Sequence, residues 1–290
     1  MPRRIGFHVS IEGGLPGAVE RALERGCTAF QVFCGNPRAW GFTERSREEL
    51  EAFREARAAA DLAPLLVHSC YLINPCASDR RVFRRSVRRM AQELAQSAQL
   101  GADAYVLHPG SHKGRPPEWG VRRAAGALGQ AFEQAGGAPV VLLENTAAPH
   151  GPGGDMETLG ALLREVGGKA PGAGLGLAVD SCHAFGAGYD LREPAEVARL
   201  KDDVDRCVGL DRLRLLHVND SRDEPGSGRD RHEHIGRGTI GRQGLANLLN
   251  DPAFAGLPLI LETPWESVEA DRRNLSAVKA LIGTGRRESP

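Results

Sequence analysis

Among the six cysteines of this 290-residue chain there is no C-x-x-C pair, and the chain has no net charge and no apolar run long enough to cross a bilayer. Each absence removes a class of protein. Cys27, Cys34, Cys70, Cys76, Cys182 and Cys207, without paired spacing, are expected to be reduced thiols in a cytoplasmic protein and not a disulfide frame. Lys+Arg 37 against Asp+Glu 37 excludes a uniformly basic coat but leaves room for a local basic groove. The opening Met-Pro-Arg-Arg-Ile enters a strand pattern directly, with no apolar signal segment. No linker or low-complexity tract interrupts the chain. One domain over residues 1–290 is therefore expected, with 284–290 a frayed polar tail. No G-x-G-x-x-G turn follows the first apolar run, which weighs against a dinucleotide-binding open sheet.

What is present is a repeated unit. Short apolar runs recur at Ile5–Val9, Ala29–Phe33, Leu65–His68, Ala104–His108, Val140–Glu144, Leu175–Asp180, Leu213–Val218 and Leu257–Glu262. Their Leu, Val and Ile content suits strands buried on both faces of a parallel sheet. Between them Glu48–Ala60, Val87–Leu100, Asp155–Val166 and Pro194–Val208 repeat apolar residues at helical spacing. Eight strand-plus-helix units in this length predict an α/β fold, a (β/α)8 TIM barrel, whose working face lies at the C-terminal ends of the strands.

Those ends carry an unusual set of side chains. The third run ends at His68, the fourth at His108, the fifth at Glu144 and the sixth at Asp180 with His183 just beyond. The seventh ends at His217, and the loop after it carries Asp230 and His232; the eighth ends at Glu262. One histidine after one strand is most simply a satisfied core residue. Five histidines and four carboxylates at the same end of six successive strands are not explained by packing, because unpartnered buried carboxylates are prohibitively costly. Divalent ions remove that cost. Nine ligands exceed what one tetrahedral ion accepts, so two or three ions are implied, zinc or manganese by ligand type. Four negative side chains and three divalent ions leave the site net positive, which suits a phosphate substrate.

At these residues the chain resembles the endonuclease IV family of zinc-dependent apurinic/apyrimidinic endonucleases. The resemblance runs from Ile5 to about Ile282. It rests on HVSIEGGL near the start, YLIN at Tyr71–Asn74, HPGSH at His108–His112, ENTA at Glu144–Ala147 and DSCHAFGAGYDL at Asp180–Leu191. HVND at His217–Asp220, the D-x-H of Asp230 and His232, and LILET at Leu259–Thr263 complete it. It implies a DNA base-excision repair enzyme that hydrolyses the phosphodiester 5′ to an abasic site in duplex DNA and leaves a 3′-hydroxyl. Removal of 3′-blocking groups is implied as well. It also implies three zinc ions per chain, with Mn2+ an alternative at one site. His68 and His108 would hold one ion and Glu144 would bridge to a second, completed by Asp180, His217 and Glu262. His183, Asp230 and His232 would hold the third. Glu144 would stand beside the reacting phosphate as the catalytic carboxylate. Arg38, in NPRAW, would be a wedge into the DNA, and Tyr71 and Leu72 would fill the gap left by a flipped nucleotide. The family also implies a monomer. The chain departs from the family pattern at Ala39, at Ser69 and in the 148–154 loop.

Two other readings compete. A sugar isomerase or epimerase on a related barrel also lines its mouth with His and carboxylates, but has no use for the trio His183, Asp230 and His232. A non-catalytic lesion binder would not need an intact ligand set. Of the basic residues, Arg80, Arg81, Arg84, Arg85, Arg88 and Arg89 are expected on a solvated helix face. Arg222, Arg229, Arg231 and Arg237 flank the ligand-bearing loop and are the better phosphate candidates, Arg231 first among them. His8 faces the same rim, where supporting a ligand and a purely structural role are equally expected, and His112 and His234 match no ligand position.

Overall fold

The computed structural model describes residues 3–148 and 150–283; the tail expected at 284–290 lies outside them. In chain order the elements are β1 (Ile5–His8), α1 (Leu15–Arg25), β2 (Ala29–Phe33), α2 (Arg47–Ala59), β3 (Leu65–His68), α3 (Arg80–Gln99), β4 (Ala104–Leu107) and α4 (Pro117–Ala135). There follow β5 (Val140–Glu144), α5 (Met156–Lys169), β6 (Leu175–Asp180), α6 (Ser181–Gly186), α7 (Pro194–Cys207), β7 (Leu213–His217), β8 (Asp220–Ser221) and β9 (His232–Glu233). The last are α8 (Gly241–Asn250), β10 (Leu259–Leu261) and α9 (Val268–Leu281). All strands but β8 and β9 close into a parallel barrel in the order β1-β10-β7-β6-β5-β4-β3-β2. The open-sheet alternative is thereby excluded. β8 and β9 pair separately as a small antiparallel ribbon, which carries no apolar periodicity and was not foreseen.

Local chemistry starts and stops the helices. Ser46, Asp79, Asp155 and Ser267 cap α2, α3, α5 and α9 by accepting bonds from first-turn N–H groups. Gly26 ends α1 at φ 78°, a left-handed position that side chains resist. The Asp79 cap explains why α3 begins at Arg80, two turns before the apolar periodicity starts at Val87. The expected solvated arginine face holds for Arg80, Arg81, Arg84, Arg85 and Arg88, all exposed, and fails for Arg89, which is only 1% exposed and is bonded to Glu93.

The barrel interior shows how the site is positioned. Ala29, Leu66, Ala104, Val106, Leu142, Ala178, Leu215 and Ile260 form one buried cluster separate from the layer between strands and helices. Successive strand residues face opposite sides, so the residue two further on points inward as well. Above Ala29 stands Gln31, above Leu66 stands His68, and above Val106 stands His108. Glu144, Asp180, His217 and Glu262 follow Leu142, Ala178, Leu215 and Ile260 in the same way. His8 follows Gly6, whose inward side has no room for a side chain: a Cβ there would lie 1.6 Å from the Ala29 carbonyl oxygen. An apolar plug thus fills the barrel, and a single polar layer, one residue per strand, closes its C-terminal end.

Candidate metal centre

Glu144 is the centre of that layer. It is fully buried, and its two oxygens face four imidazoles. Oε2 lies 3.2 Å from His68 Nε2 and 2.9 Å from His108 Nε2. Oε1 lies 2.9 Å from His217 Nδ1 and 3.4 Å from His183 Nδ1. Burial alone would raise the Glu144 carboxyl, but His217 and His108 outweigh it and hold it well below the usual carboxylate range.

His183 reaches the centre through a cap. Asp180 ends β6 and accepts from His183 N at 2.8 Å, so the D-S-C-H spacing is that of an N-cap and the third residue of α6. This turns His183 toward the β8–β9 ribbon, where Asp230 sits between the strands and His232 opens β9. His183 Nε2 is 3.2 Å from Asp230 Oδ2, and His232 Nε2 is 3.1 Å from Asp230 Oδ1. Burial disfavours charge on His232, yet Asp180 and Asp230 raise it to about 9; the same contest raises His183 well above its ordinary value. The two imidazoles in turn hold the Asp230 carboxyl far below the usual range against its own burial. His217 rises to about 9 because Glu262 and Glu144 overcome its desolvation, and Glu262 is lowered by His217 and His8.

Four of the five imidazoles are oriented by a bond on the far side. Nδ1 donates to the Ser69 carbonyl from His68 (2.9 Å), to the Asn145 carbonyl from His183 (2.9 Å) and to the Glu262 carbonyl from His232 (3.0 Å). His217 is turned round: Nε2 donates to Gln31 Oε1 at 3.0 Å and Nδ1 faces Glu144. Such bonds fix the tautomer and leave the other nitrogen with a lone pair for a cation. At Ser69 it is the backbone carbonyl that does the orienting.

Ligand-capable atoms gather in three places. The groups His68–His108–Glu144, Glu144–Asp180–His217–Glu262 and His183–Asp230–His232 each have such atoms within 4.8 Å of one another. Asp180, Cys182 and His232 also come together, but burial pushes the Cys182 thiol up to about 12, against thiolate ligation. The metal fit is tested by the third group. His183 Nε2 and His232 Nε2 are buried and form no hydrogen bond among the described residues, although they stand 3.2 and 3.1 Å from the Asp230 oxygens. Both lone pairs converge on one carboxylate, and a cation satisfies all three. Nine hard and borderline donors with no thiolate match zinc or manganese.

Several residues that hold this arrangement carry no charge and were not foreseen. Gln31 donates to Glu262 Oε1 at 2.6 Å while accepting from His217. Asn219 donates to Asp180 Oδ2 at 2.6 Å and accepts from Glu262 N at 2.8 Å. Asn145 bonds both N and O of Asp180. Their signal was the two-residue alternation for Gln31 and the HVND and ENTA motifs for the asparagines. His8 Nδ1 lies 3.2 Å from Glu262 Oε1, which favours the supporting role over the purely structural one. Asp220, two residues past the seventh run, ties the loop by accepting from Gly238, Ile240 and Gly241 N–H groups.

The rim is looser. A cavity of about 340 Å³ opens over His68, His108, His183 and Asp230, with Tyr71 at its edge. Tyr71 is 63% exposed, its ring 5.1 Å from Phe33. Arg38 is exposed on a turn closed by Asn36 Oδ1 at 2.9 Å. Leu72 is half-buried against the core, so its side chain is less free to move into a partner. Arg231 and Arg229 both bond Asp223, and Arg222 pairs with Glu233 at 3.1 Å. Three of the four loop arginines are therefore already matched by carboxylates. His112 and His234 are buried away from the cluster, the latter bonded to Asn274 at 2.9 Å.

The sequence profile described as "Xylose isomerase-like TIM barrel" matches residues 19–282. A protein of Methanoculleus marisnigri named "Probable endonuclease 4" is 41% identical over 280 residues, covering 96% of this chain and 99% of its own. A protein of the same name from Halothermothrix orenii is 39% identical over 262 residues, covering 90% and 93%. The crystal structure of endonuclease IV from Thermus thermophilus superposes with a TM-score of 0.84 at 38% identity, covering 96% of this chain and 98% of the other.

Proposed function

The chain belongs to the endonuclease IV family, and from that premise we propose that it is a zinc-dependent DNA repair endonuclease. Its substrate is duplex DNA carrying an abasic site, cut on the 5′ side to leave a 3′-hydroxyl. Phosphate-linked 3′-blocking groups enter the same cavity and are removed by the same chemistry. The observation that carries the reading is the convergence of His68, His108, Glu144, Asp180, His183, His217, Asp230, His232 and Glu262 into three ligand groups, two of which share Glu144. They fit three Zn2+ ions, with Mn2+ an alternative occupant of one site. Bound there, such ions activate water, neutralise phosphoryl charge and stabilise the leaving 3′ oxygen.

The chain's own residues do the rest. Glu144 stays ionised because four imidazoles face it, and as a member of two ligand groups it would serve as a ligand in both. Gln31, Asn145 and Asn219 hold the ligands in one geometry before substrate arrives, which lowers the reorganisation needed in the transition state. Tyr71 at the cavity mouth and Arg38 on the neighbouring loop enter the duplex beside the lesion and fill the gap left by the extruded nucleotide. Arg231 contacts a backbone phosphate once it exchanges Asp223 for it. Among the described residues no helix is long and apolar enough to cross a membrane. A cytoplasmic monomer of one domain is the form proposed.

The test is a nicking assay on duplex DNA with one tetrahydrofuran abasic analogue, with end-group analysis of the product. A nick on the 5′ side with a 3′-hydroxyl, abolished by a chelator and restored by zinc, is expected. An intact duplex from metal-loaded protein, together with turnover of a ketose, would transfer the barrel to sugar epimerisation.

A further inference from the structure

The loops that carry Arg38 and Tyr71 are both tied to one buried ion pair. Arg89 and Glu93 lie one turn apart on α3 and are each 1% exposed. Arg89 Nε donates to Glu93 Oε1 at 2.8 Å. On one side, Arg89 Nη1 donates to the carbonyl oxygens of Ala39, at 3.3 Å, and Gly41, and the guanidinium lies 4.9 Å from the Phe42 ring centre. On the other side, Glu93 Oε2 accepts from Cys70 N at 3.2 Å and from the Tyr105 hydroxyl at 2.7 Å. The two loops also bond to each other at one carbonyl: Pro37 O accepts from Tyr71 N at 3.1 Å and from Cys70 Sγ at 3.0 Å. Arg38 is the next residue after that carbonyl.

Stability alone does not explain such a pair. A buried ion pair loses its hydration, and apolar residues of similar volume often serve the fold equally well. Burial pushes the Glu93 carboxyl above its usual range even with Arg89 beside it. What the pair supplies that apolar side chains cannot is a set of directed bonds to three loop backbone groups: Ala39 O, Gly41 O and Cys70 N. We propose that Arg89 and Glu93 are positioning residues that fix the Arg38 loop and the Tyr71 loop in one register, so that both side chains enter duplex DNA as a single unit. The proposal rests on the endonuclease reading above.

Arg89→Lys isolates the link. Lysine keeps a positive charge for Glu93 but has no planar fork to reach two carbonyls as well. Cleavage is compared on two abasic duplexes, one fully paired and one with the lesion already extruded in a small bulge. Misplaced loops make opening of the paired duplex harder, so its kcat/KM falls about tenfold, mostly through KM. The bulged duplex is cut at the parent's rate, with metal content and melting temperature unchanged. The fluorescence of a 2-aminopurine opposite the lesion, which reports base unstacking on binding, falls with the paired-duplex activity. The double variant Arg89→Met/Glu93→Leu removes the pair without stranding a charge and gives the same split if the single variant does not fold. Equal losses on both duplexes, or no loss on either, overturn the proposal. So does loss of fold and metal in both variants, which would make the pair an element of the fold alone. A parent protein inactive on both duplexes counts against the endonuclease reading instead.

Discussion

Glu144, Asp180 and His217 are completely enclosed at strand ends, whereas Tyr71 is 63% exposed on a loop at the edge of the cavity above them. The floor of the site is built on the barrel: the strand-end ligands stand two residues beyond apolar plug residues, and neutral amides or carbonyls fix their orientation. The rim is built on loops, and its geometry comes from one buried ion pair on α3 and from a few backbone bonds. The floor thus has the rigidity that the proposed multi-ion chemistry requires. The rim has the accessibility that meeting a duplex requires. If the division holds, changes to the floor remove chemistry and metal together, and changes to the rim remove only the ability to open paired DNA.

The largest effect is expected for Glu144→Ala, which strands four imidazoles around an empty centre. Loss of the carboxylate from so buried a group costs on the order of 3–5 kcal/mol in folding stability. Cleavage drops to background and metal content falls, as measured on one preparation. His183→Ala comes next. It removes one corner of the third group, so cleavage falls at least about a hundredfold, while affinity for an uncleavable abasic duplex is nearly kept. Equal loss of both would remove His183 from the chemistry.

Acidity sharpens the floor from another side. In metal-stripped protein His217 and His232 lie at about 9, above their unfolded value of about 6.5. A raised histidine contributes stability that is fully present below about 6.5 and is lost as pH climbs through about 9. The stripped protein should therefore melt progressively lower across that window, by on the order of a few kcal/mol. Zinc-loaded protein should resist that loss, because neutral imidazoles are the ligand form. A melting temperature flat across this window without metal would contradict the electrostatics described. On the rim, Tyr71→Ala should weaken cleavage of paired abasic duplex about tenfold, stacking on a base being worth about 1–3 kcal/mol, with zinc content untouched. Arg231→Ala should do least: it lowers the salt slope of DNA binding by less than about one unit, since Asp223 already compensates the charge.

The barrel and its floor were legible because both follow from alternation. Ala29–Phe33, Leu65–His68, Val140–Glu144 and Leu175–Asp180 are strands from end to end as their apolar runs predict, and the charged residue closing a run marks the change of layer. Gln31 belongs to the same layer but stays hidden, because an amide inside an apolar run carries no charge to notice. Asn145 and Asn219 stand beside ligands and escape notice for the same reason. The ribbon Asp220–Ser221 with His232–Glu233 and the six-residue α6 are too short to show a period. Arg89 differs from expectation because five neighbouring arginines make a solvated stripe the simpler explanation, and sequence spacing alone cannot tell which turn of a helix faces a loop.

The central claim is that nine side chains from one face of the barrel act on three ions at once. It is tested most directly by counting metal per chain in native mass spectrometry of the purified protein, before and after cleavage activity is titrated back with zinc. The account predicts about three zinc ions per chain, with activity absent until the last is bound. One ion per chain in fully active protein would contradict it.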